Sequence, residues 1–223
     1  GVLGCAKHFP GHGDTDQDSH LELPLIKHER NRLDQVELVP FRRLIDSGID
    51  SVMTAHLLIP ALDDTQPATL SRAVLTDLLR TELGFTGLVV TDALVMEAIS
   101  SWAGPGEAAV QAFAAGADLI LMPADADAAI DAICVSLAEG RIPESRLHES
   151  LQRREEALHR CPKPLCSETG VDLETARDRG LCMELIERSL EVQGPMLSDH
   201  HQQNAVNLIR VDGVLPCTFL QAD

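Results

Sequence analysis

The sequence contains no tyrosine, and only 3% of its 223 residues are aromatic. A core must therefore be formed from Leu, Ile, Val and Ala, within a hydrophobic fraction of 44% that is ordinary for a globular protein. Basic residues are also scarce, since 18 Lys and Arg stand against 35 Asp and Glu, giving a net charge of −17. A surface so acidic repels phosphate backbones, which argues against nucleic acid as a partner.

Metal-binding cysteine motifs and long apolar runs are missing as well. None of the six cysteines forms a Cys-x-x-Cys pair, and Cys161 and Cys166 have no matching pair of histidines for zinc. Scattered cysteines in apolar contexts favour a reducing compartment, so we expect a cytoplasmic protein. No run of about 18 apolar residues occurs, and we expect no membrane span. The chain begins with Gly1 and not with Met, directly before an expected strand, and we expect the full protein to extend further upstream.

What the sequence does contain is a regular alternation of short apolar runs and longer amphipathic segments. Continuous apolar strands that alternate with helices are typical of an α/β fold with a parallel sheet covered on both faces. The expected strands are 2–6, 51–56, 88–91 and 118–122, and the expected helices are 33–45, 71–83, 105–116, 125–139 and 143–160.

Such units form either an open doubly wound sheet or half of a closed (β/α)8 barrel. Polar residues gather where the expected strands end, namely Lys7, His8, His56 and Asp92. Active sites of (β/α)8 barrels lie at that face, which favours the barrel. Open sheets bind ligands at the same ends of their strands, so the pattern does not exclude them.

The composition changes after the last of these helices. Residues 161–175 contain Pro162, Pro164, Ser167 and Gly170, which predicts a linker between domains. A helix is expected over 176–190 and a strand over 205–211. We therefore expect a catalytic domain over 1–160 and the truncated start of a second α/β domain over 176–223.

The loop that follows the first expected strand carries chemically active side chains. Asp18 and His20 are two residues apart, and in an extended segment such side chains point the same way. A carboxylate can then orient the imidazole and stabilise its protonated form, as general acid/base catalysis requires. Two alternatives are a metal site using the His and Asp residues of the loop and a solvated loop without a role. Pro10 and Gly11 interrupt any helix that would place His8 and His12 on one face.

Asp92 comes directly after the apolar run Leu88–Thr91. A carboxylate at this position is costly to bury and must be compensated. It is interpreted as a nucleophile presented at the mouth of a barrel. The alternative is a cap for a helix that begins near Ala93.

Three motifs together resemble a known family. The segment Lys7-His8-Phe9-Pro10-Gly11-His12-Gly13, continuing to Asp18-Ser19-His20, closely resembles the signature loop of the β-N-acetylglucosaminidases (β-hexosaminidases) of glycoside hydrolase family 3. Met53-Thr54-Ala55-His56 and Val90-Thr91-Asp92-Ala93-Leu94 match the same family in order and separation. The resemblance covers about residues 1–160. It implies the C-terminal half of a (β/α)8 TIM barrel that removes terminal β-linked N-acetylglucosamine from peptidoglycan-type or chitin-type oligosaccharides, as in cell-wall recycling.

The resemblance also implies a retaining mechanism with no metal and no cofactor. Asp92 would be the nucleophile, and His20 would be the acid that protonates the leaving oxygen and then the base that activates water. Asp18 would pair with His20, while Lys7 and His8 would contact hydroxyl groups of the sugar. In the same family, His12 and Asp14 would shape the loop.

The barrel implied by the resemblance has eight strand–helix units, so four more should precede this segment. We expect the chain alone to be inactive, or to self-associate and so cover its sheet edges and apolar helix faces. Phosphorolysis at the same site is an alternative, because a His acid/base tolerates an incoming phosphate better than a carboxylate would. A metal-dependent hydrolase and an inactive half barrel that only binds partners also remain open. Retention of Asp18, His20 and Asp92 argues against the last of these.

Overall fold

The computed structural model describes residues 2–15, 18–19, 21–161 and 176–189. These residues belong to two compact units, one that includes residues 2–161 and one that includes the helix 176–189. In the described parts of the chain, no helix combines the length and the apolar composition that a membrane span requires.

Three parallel strands form the sheet in the order β1-β2-β3. The strands are β1 (Cys5–Phe9), β2 (Ser51–Thr54) and β3 (Leu88–Val90). Ala6 pairs with Val52, which in turn pairs with Val89, and Val52 and Val89 are completely buried. The α/β class and the parallel sheet predicted from the sequence are therefore confirmed.

The first strand lies further along the chain than predicted. We expected residues 2–6, but Val2 is exposed and pairing with β2 begins where Ser51 donates its amide to the carbonyl of Gly4. The amide of Gly4 also donates to the Asp50 carboxylate at 2.8 Å, which fixes the start of the ladder. As a result, Lys7 and His8 belong to the strand and do not follow it.

The expected fourth strand over 118–122 is reduced to a single parallel bridge between Leu119 and Val90. The amide of Thr91 donates to the carbonyl of Leu119 at 3.0 Å, so the segment follows the sheet edge without forming a ladder. We predicted this segment to be buried, which is wrong at both Leu119 and Met122. Within the described residues, no further strand covers its outer side.

Helices fill the connections between the strands. They are α1 (Arg30–Gln35), α2 (Val39–Asp46), a 3₁₀ helix (Ala68–Leu70), a π-helix (Ala73–Glu82), α3 (Glu97–Ser100), α4 (Pro105–Ala115), α5 (Ala126–Ala138), α6 (Glu144–Arg160) and, in the second unit, α7 (Ala176–Ser189).

Most of the predicted helix boundaries are close to those observed. Pro105 begins α4, and Gly116, with φ of 134°, ends it in a conformation that favours glycine. The Ser71 hydroxyl accepts from the amide of Val74 and caps the π-helix as expected. The single helix expected over 33–45 is instead two, because Pro40 lies in the first turn of α2, where its missing N–H costs nothing.

The last helix of the first unit is tied to the sheet by one buried carboxylate. Asp118 has no exposed side-chain surface and forms ion pairs with Arg80 of the π-helix and with Arg146 and Arg153 of α6. Burial alone would raise the pKa of this carboxyl, but the charge of Arg80 and a hydrogen bond from Ser150 contribute to a net lowering. We call Asp118, Arg80, Arg146, Arg153 and Ser150 the Asp118 cluster. It ties α6 to the start of β3, because Asp118 also accepts from the amide of Val89.

Candidate functional site

Asp92 lies just beyond the C-terminal end of β3, with 22% of its side chain exposed. The preceding Thr91 is buried, and its hydroxyl accepts from the amide of Leu121 at 2.9 Å. Thr91 therefore fixes the main chain from which Asp92 projects. The carboxylate is presented at the edge of the sheet where parallel α/β proteins bind their ligands.

The alternative that Asp92 caps a helix near Ala93 is wrong. Its Oδ1 atom accepts from the amide of Ala93 at 2.8 Å, but the next helix, α3, begins only at Glu97. One carboxylate oxygen is thus held by the neighbouring main chain. This leaves Oδ2 for interactions outside the turn.

That second oxygen faces His8 on β1. The Nε2 atom of His8 lies 3.5 Å from Oδ2 of Asp92, longer than an ordinary N–H···O hydrogen bond. Burial lowers the pKa of His8, and the neighbouring Lys7 and His12 lower it further, while Asp92 acts in the opposite direction. At neutral pH, His8 is therefore mainly a neutral hydrogen-bonding group beside the carboxylate.

The loop after β1 is held together by its own side chains. The two ring nitrogens of His12 lie 3.0 Å from the Thr15 hydroxyl and 3.3 Å from the Ser19 hydroxyl. The His12 ring also meets His8 edge-on, with 6.1 Å between the ring centroids. Nε2 of His28 lies 2.5 Å from a carboxylate oxygen of Asp14. These contacts are consistent with the loop-shaping roles expected for His12 and Asp14.

The predicted dyad of Asp18 and His20 falls partly outside the described residues, because His20 is not among them. Asp18 is exposed, and its carbonyl accepts from the amides of Leu21 and Glu22 at 2.9 and 3.1 Å. This is the hydrogen bonding of a turn. The extended conformation and the pairing of the two side chains both stay predictions, because both depend on His20.

A cavity of about 540 Å³ lies beside β1. Lys7 and His8 both line it, so the two expected sugar-binding residues share one space, whereas Asp92 is not among its lining residues. Glu37 borders the cavity with only 7% of its side chain exposed, and one of its oxygens accepts from Arg32 at 3.1 Å. The remaining lining residues are Ala6, Gly11, His12, Gly13, Asp14, Val36, Pro40, Phe41 and Leu44.

Sequence reasoning assigned no role to His56, which the structure places next to the site. Its side chain is buried, with Nδ1 2.8 Å from the Thr69 hydroxyl and Nε2 3.0 Å from the carbonyl of Ala93. Burial lowers its pKa. The signal in the sequence was its position after β2, which matches the position of Asp92 after β3.

No group of three or more His, Cys, Asp or Glu side chains could hold a metal ion within the parts of the chain that the structure describes. His8 of β1 lies near Asp92, and His12 of the loop contacts Thr15 and Ser19.

Comparison with known families decides what kind of domain carries this arrangement. The model of the glycosyl hydrolase family 3 N-terminal domain matches residues 1–156, which is most of the chain. The chain belongs to glycosyl hydrolase family 3. The resemblance inferred from the three motifs is thereby confirmed, and the matched segment contains every candidate site residue.

Named relatives of this family 3 chain are β-hexosaminidases. One from Pseudoalteromonas piscicida, named β-hexosaminidase A, is 45% identical over 135 residues, covering 55% of the chain and 23% of the relative. One from Chromobacterium violaceum is 40% identical over 156 residues, covering 69% and 42%. A solved family 3 β-N-acetylglucosaminidase from Paenibacillus sp. str. FPU-7 aligns with a TM-score of 0.71 and 44% identity, covering 89% of this chain and 40% of that one. The chain thus spans less than half the length of each.

Proposed function

We propose that this family 3 chain supplies the catalytic residues of a retaining β-N-acetylhexosaminidase. The observation that carries the proposal is the Asp92 carboxylate at the end of β3, which caps no helix and whose Oδ2 faces His8 at 3.5 Å. A carboxylate in this position can attack an anomeric carbon. The names of the relatives support a substrate that carries an N-acetylhexosamine.

The proposal includes the architecture around the site. Residues 1–160 form the C-terminal half of a (β/α)8 TIM barrel, residues 161–175 form a linker, and residues 176–223 begin a second α/β domain. The parallel order of β1, β2 and β3, with the open edge at Leu119, supports this arrangement. The linker and most of the second domain lie outside the described residues.

The reaction follows from the roles of the residues. Oδ2 of Asp92 attacks the anomeric carbon while the glycosidic C–O bond breaks, and His20 gives its proton to the departing oxygen. His20 then removes a proton from water, which attacks the anomeric carbon and releases Asp92 as a carboxylate. Asp18 orients His20 throughout. Asp92 attacks the anomeric carbon from one face and water attacks it from the other. The two inversions together give a product with its original configuration.

Lys7 and His8 bind hydroxyl groups of the sugar next to Asp92. The mainly neutral state of His8 matters here, because a permanent cation at 3.5 Å would stabilise the carboxylate and weaken it as a nucleophile. A neutral imidazole can donate one hydrogen bond to a hydroxyl without that penalty.

The substrates in this proposal are terminal β-linked N-acetylglucosamine residues of peptidoglycan-type or chitin-type oligosaccharides, cleaved in the cytoplasm. Hydrolysis is favoured over phosphorolysis because the named relatives are β-hexosaminidases.

The experiment uses a chimera, because the chain spans only 42% of the Chromobacterium violaceum relative. Residues 1–156 replace the matching segment of that enzyme, and release of nitrophenol from nitrophenyl N-acetyl-β-glucosaminide is measured with and without phosphate. We expect turnover that is independent of phosphate and that falls by at least about 10³-fold in Asp92→Ala. An activated 5-fluoro glycosyl fluoride should label Asp92, as seen by peptide mass mapping.

The unmodified relative controls for the assay, and the melting temperature of the chimera controls for folding. A folded chimera without turnover contradicts the proposal. If the fluoro sugar labels a different carboxylate, the assignment of Asp92 as the nucleophile is contradicted. If turnover requires phosphate, the reaction is phosphorolysis and the proposal of hydrolysis is contradicted.

A further inference from the structure

His56 has no part in the chemistry proposed above, yet its ring touches the residue that follows the nucleophile. The ring is 1% exposed and uses both nitrogens, Nδ1 toward the Thr69 hydroxyl and Nε2 toward the carbonyl of Ala93. A buried imidazole with both nitrogens engaged has a fixed orientation. It therefore links the 3₁₀ helix, through Thr69, to the turn after β3.

The partners of the ring decide which nitrogen carries the proton. A carbonyl can only accept, so Nε2 of His56 donates to Ala93. Burial lowers the pKa of the ring. Its Nδ1 lies 2.8 Å from the Thr69 hydroxyl, whose single proton faces both Nδ1 and the carbonyl of Ala55 at 3.0 Å. That hydroxyl lies 2.7 Å from the hydroxyl of Thr54, which supplies the next hydrogen bond in the series.

Ala93 connects this buried series to the nucleophile. Its carbonyl accepts from His56 and from the amide of Met96 at 3.1 Å, while its own amide donates to Oδ1 of Asp92 at 2.8 Å. One residue thus receives a hydrogen bond from the interior and gives one to the carboxylate. The amide and the carbonyl of Ala93 belong to adjacent peptide planes that share its Cα atom, so holding the carbonyl restrains the direction of the amide.

We propose that His56 is a positioning residue for the nucleophile: it holds the main chain at Ala93, so that the Ala93 amide fixes Oδ1 of Asp92 and leaves Oδ2 as the attacking atom. This inference rests on the proposed function of Asp92. Oriented nucleophiles react faster because the rotational freedom of the group has already been lost before the transition state. The effect is expected in the chemical step and not in the binding of the sugar.

Two substitutions separate the hydrogen bond from the volume of the ring. His56→Gln places an amide NH₂ near the position of Nε2 and keeps a donor for Ala93, whereas His56→Leu keeps a similar volume without a donor. In the chimera, we expect His56→Leu to lower kcat by about 10- to 100-fold with KM changed by less than about 3-fold. His56→Gln should recover most of the lost kcat.

Thr76→Val is the matched control. The Thr76 hydroxyl donates to the carbonyl of Ala115 at 2.7 Å, so the variant also removes a hydrogen bond from a side chain to the main chain, but one unconnected to Ala93. We expect it to lower the melting temperature and to leave kcat unchanged.

A second measurement needs no turnover. In the isolated chain, exchange of the Ala93 amide proton with solvent, followed by NMR, should accelerate in His56→Leu and stay near the wild-type rate in His56→Gln and Thr76→Val. An inactive chimera would contradict the proposed function of the site. The exchange rate of the Ala93 amide would still test whether His56 holds the main chain at Ala93.

Several results would overturn the inference. The first is an active chimera in which His56→Leu keeps the wild-type kcat. The second is an equal loss of kcat in His56→Leu and His56→Gln. The third is an Ala93 amide whose exchange rate does not change in His56→Leu.

Discussion

Oδ2 of Asp92 lies 3.5 Å from Nε2 of His8, while Oδ1 of the same carboxylate is held by a main-chain amide. The two oxygens are therefore not equivalent. One belongs to the turn after β3, and the other faces a side chain from β1, across the strand β2 that separates them in the sheet.

The first prediction concerns this contact. His8→Ala in the chimera should lower kcat/KM by about 3- to 10-fold, because the hydrogen bond from the neutral His8 ring to a sugar hydroxyl is worth about 0.5–1.5 kcal/mol. Steady-state kinetics with the nitrophenyl substrate measure it. His159→Ala, an exposed position on α6, is the control and should leave kcat/KM unchanged. A His8→Ala variant with wild-type kinetics would remove His8 from the site.

The second prediction concerns pH. The pKa values of His56 and His8 are both lowered, chiefly by burial. Below the ordinary His pKa of about 6.5, the unfolded chain therefore binds more protons than the folded chain. Stability is fully present above that pH and is lost as the pH falls toward the lowered folded values. Urea unfolding between about pH 7.5 and 5 should reveal this decline.

His56→Gln should flatten the decline, because it removes one of the two groups that cause it. His159→Gln should keep the wild-type slope. The lowered pKa of the Asp118 carboxyl acts at lower pH, where stability is lost as the pH falls below about 3.9, and so does not contribute in this range. An unchanged slope in His56→Gln would contradict the prediction.

The third prediction concerns the Asp118 cluster. Asp118→Asn leaves Arg80, Arg146 and Arg153 without their shared buried anion, and breaking a buried ion pair costs about 3–5 kcal/mol. Denaturant unfolding of the isolated chain measures the loss.

Two variants calibrate that loss. Ser150→Ala removes one hydrogen bond to Asp118 and should cost about 1 kcal/mol. Arg160→Gln removes a half-exposed pair with Asp50 and should cost less than about 1 kcal/mol. If Asp118→Asn cost no more than Arg160→Gln, the cluster would not tie α6 to the sheet.

The fourth prediction concerns the support of β3. A Cβ atom at Gly87 would collide with the carbonyl of Asp50 and lie 2.8 Å from the Phe85 ring, so Gly87→Ala should cost about 1–3 kcal/mol through overpacking. Gly13 has open space around it, and Gly13→Ala should change the free energy of unfolding by less than about 0.5 kcal/mol. Equal effects of the two substitutions would argue against a close approach at Gly87.

The fifth prediction concerns the chain on its own. Within the described residues, β1 pairs on one side only and the segment at Leu119 has no outer neighbour. Open sheet edges promote pairing between chains, so we expect the isolated chain to self-associate in sedimentation experiments and to lack turnover. Leu119→Lys should weaken the association, whereas Leu151→Lys, at an exposed position of α6, should not. Turnover by a monomer would contradict the prediction.

Much of the fold could be predicted from the sequence where local signals agree. Pro105 and Gly116 bound α4, and Ser71 caps the π-helix, because each of these residues acts through its own main-chain neighbours. The limits of β1 were predicted less well, because they depend on pairing with Ser51, which is remote in sequence. The exposed state of Leu119 was missed for the same reason, since an apolar run does not reveal whether another strand covers it.

In the site as well, features set by local sequence were predicted and features set by remote contacts were not. Asp92 was found because it follows a buried strand, and the structure adds that its carboxylate caps no helix. His56 was noticed but given no role, because the bond that gives it one runs to the carbonyl of Ala93, 37 residues away. No local pattern reports such a contact. The pairing of Asp18 with His20 stays a prediction, because His20 lies outside the described residues.

The Asp118 cluster has a consequence for the order in which the protein is made. Asp118 is synthesised after Arg80 but before Arg146 and Arg153, so two of its three cationic partners follow it along the chain. While the chain is still growing on the ribosome, the buried end of the sheet cannot acquire its full set of charges until α6 has emerged. Asp118 therefore leaves the ribosome with one of its three cationic partners, and its burial is completed only after α6 has packed onto the sheet.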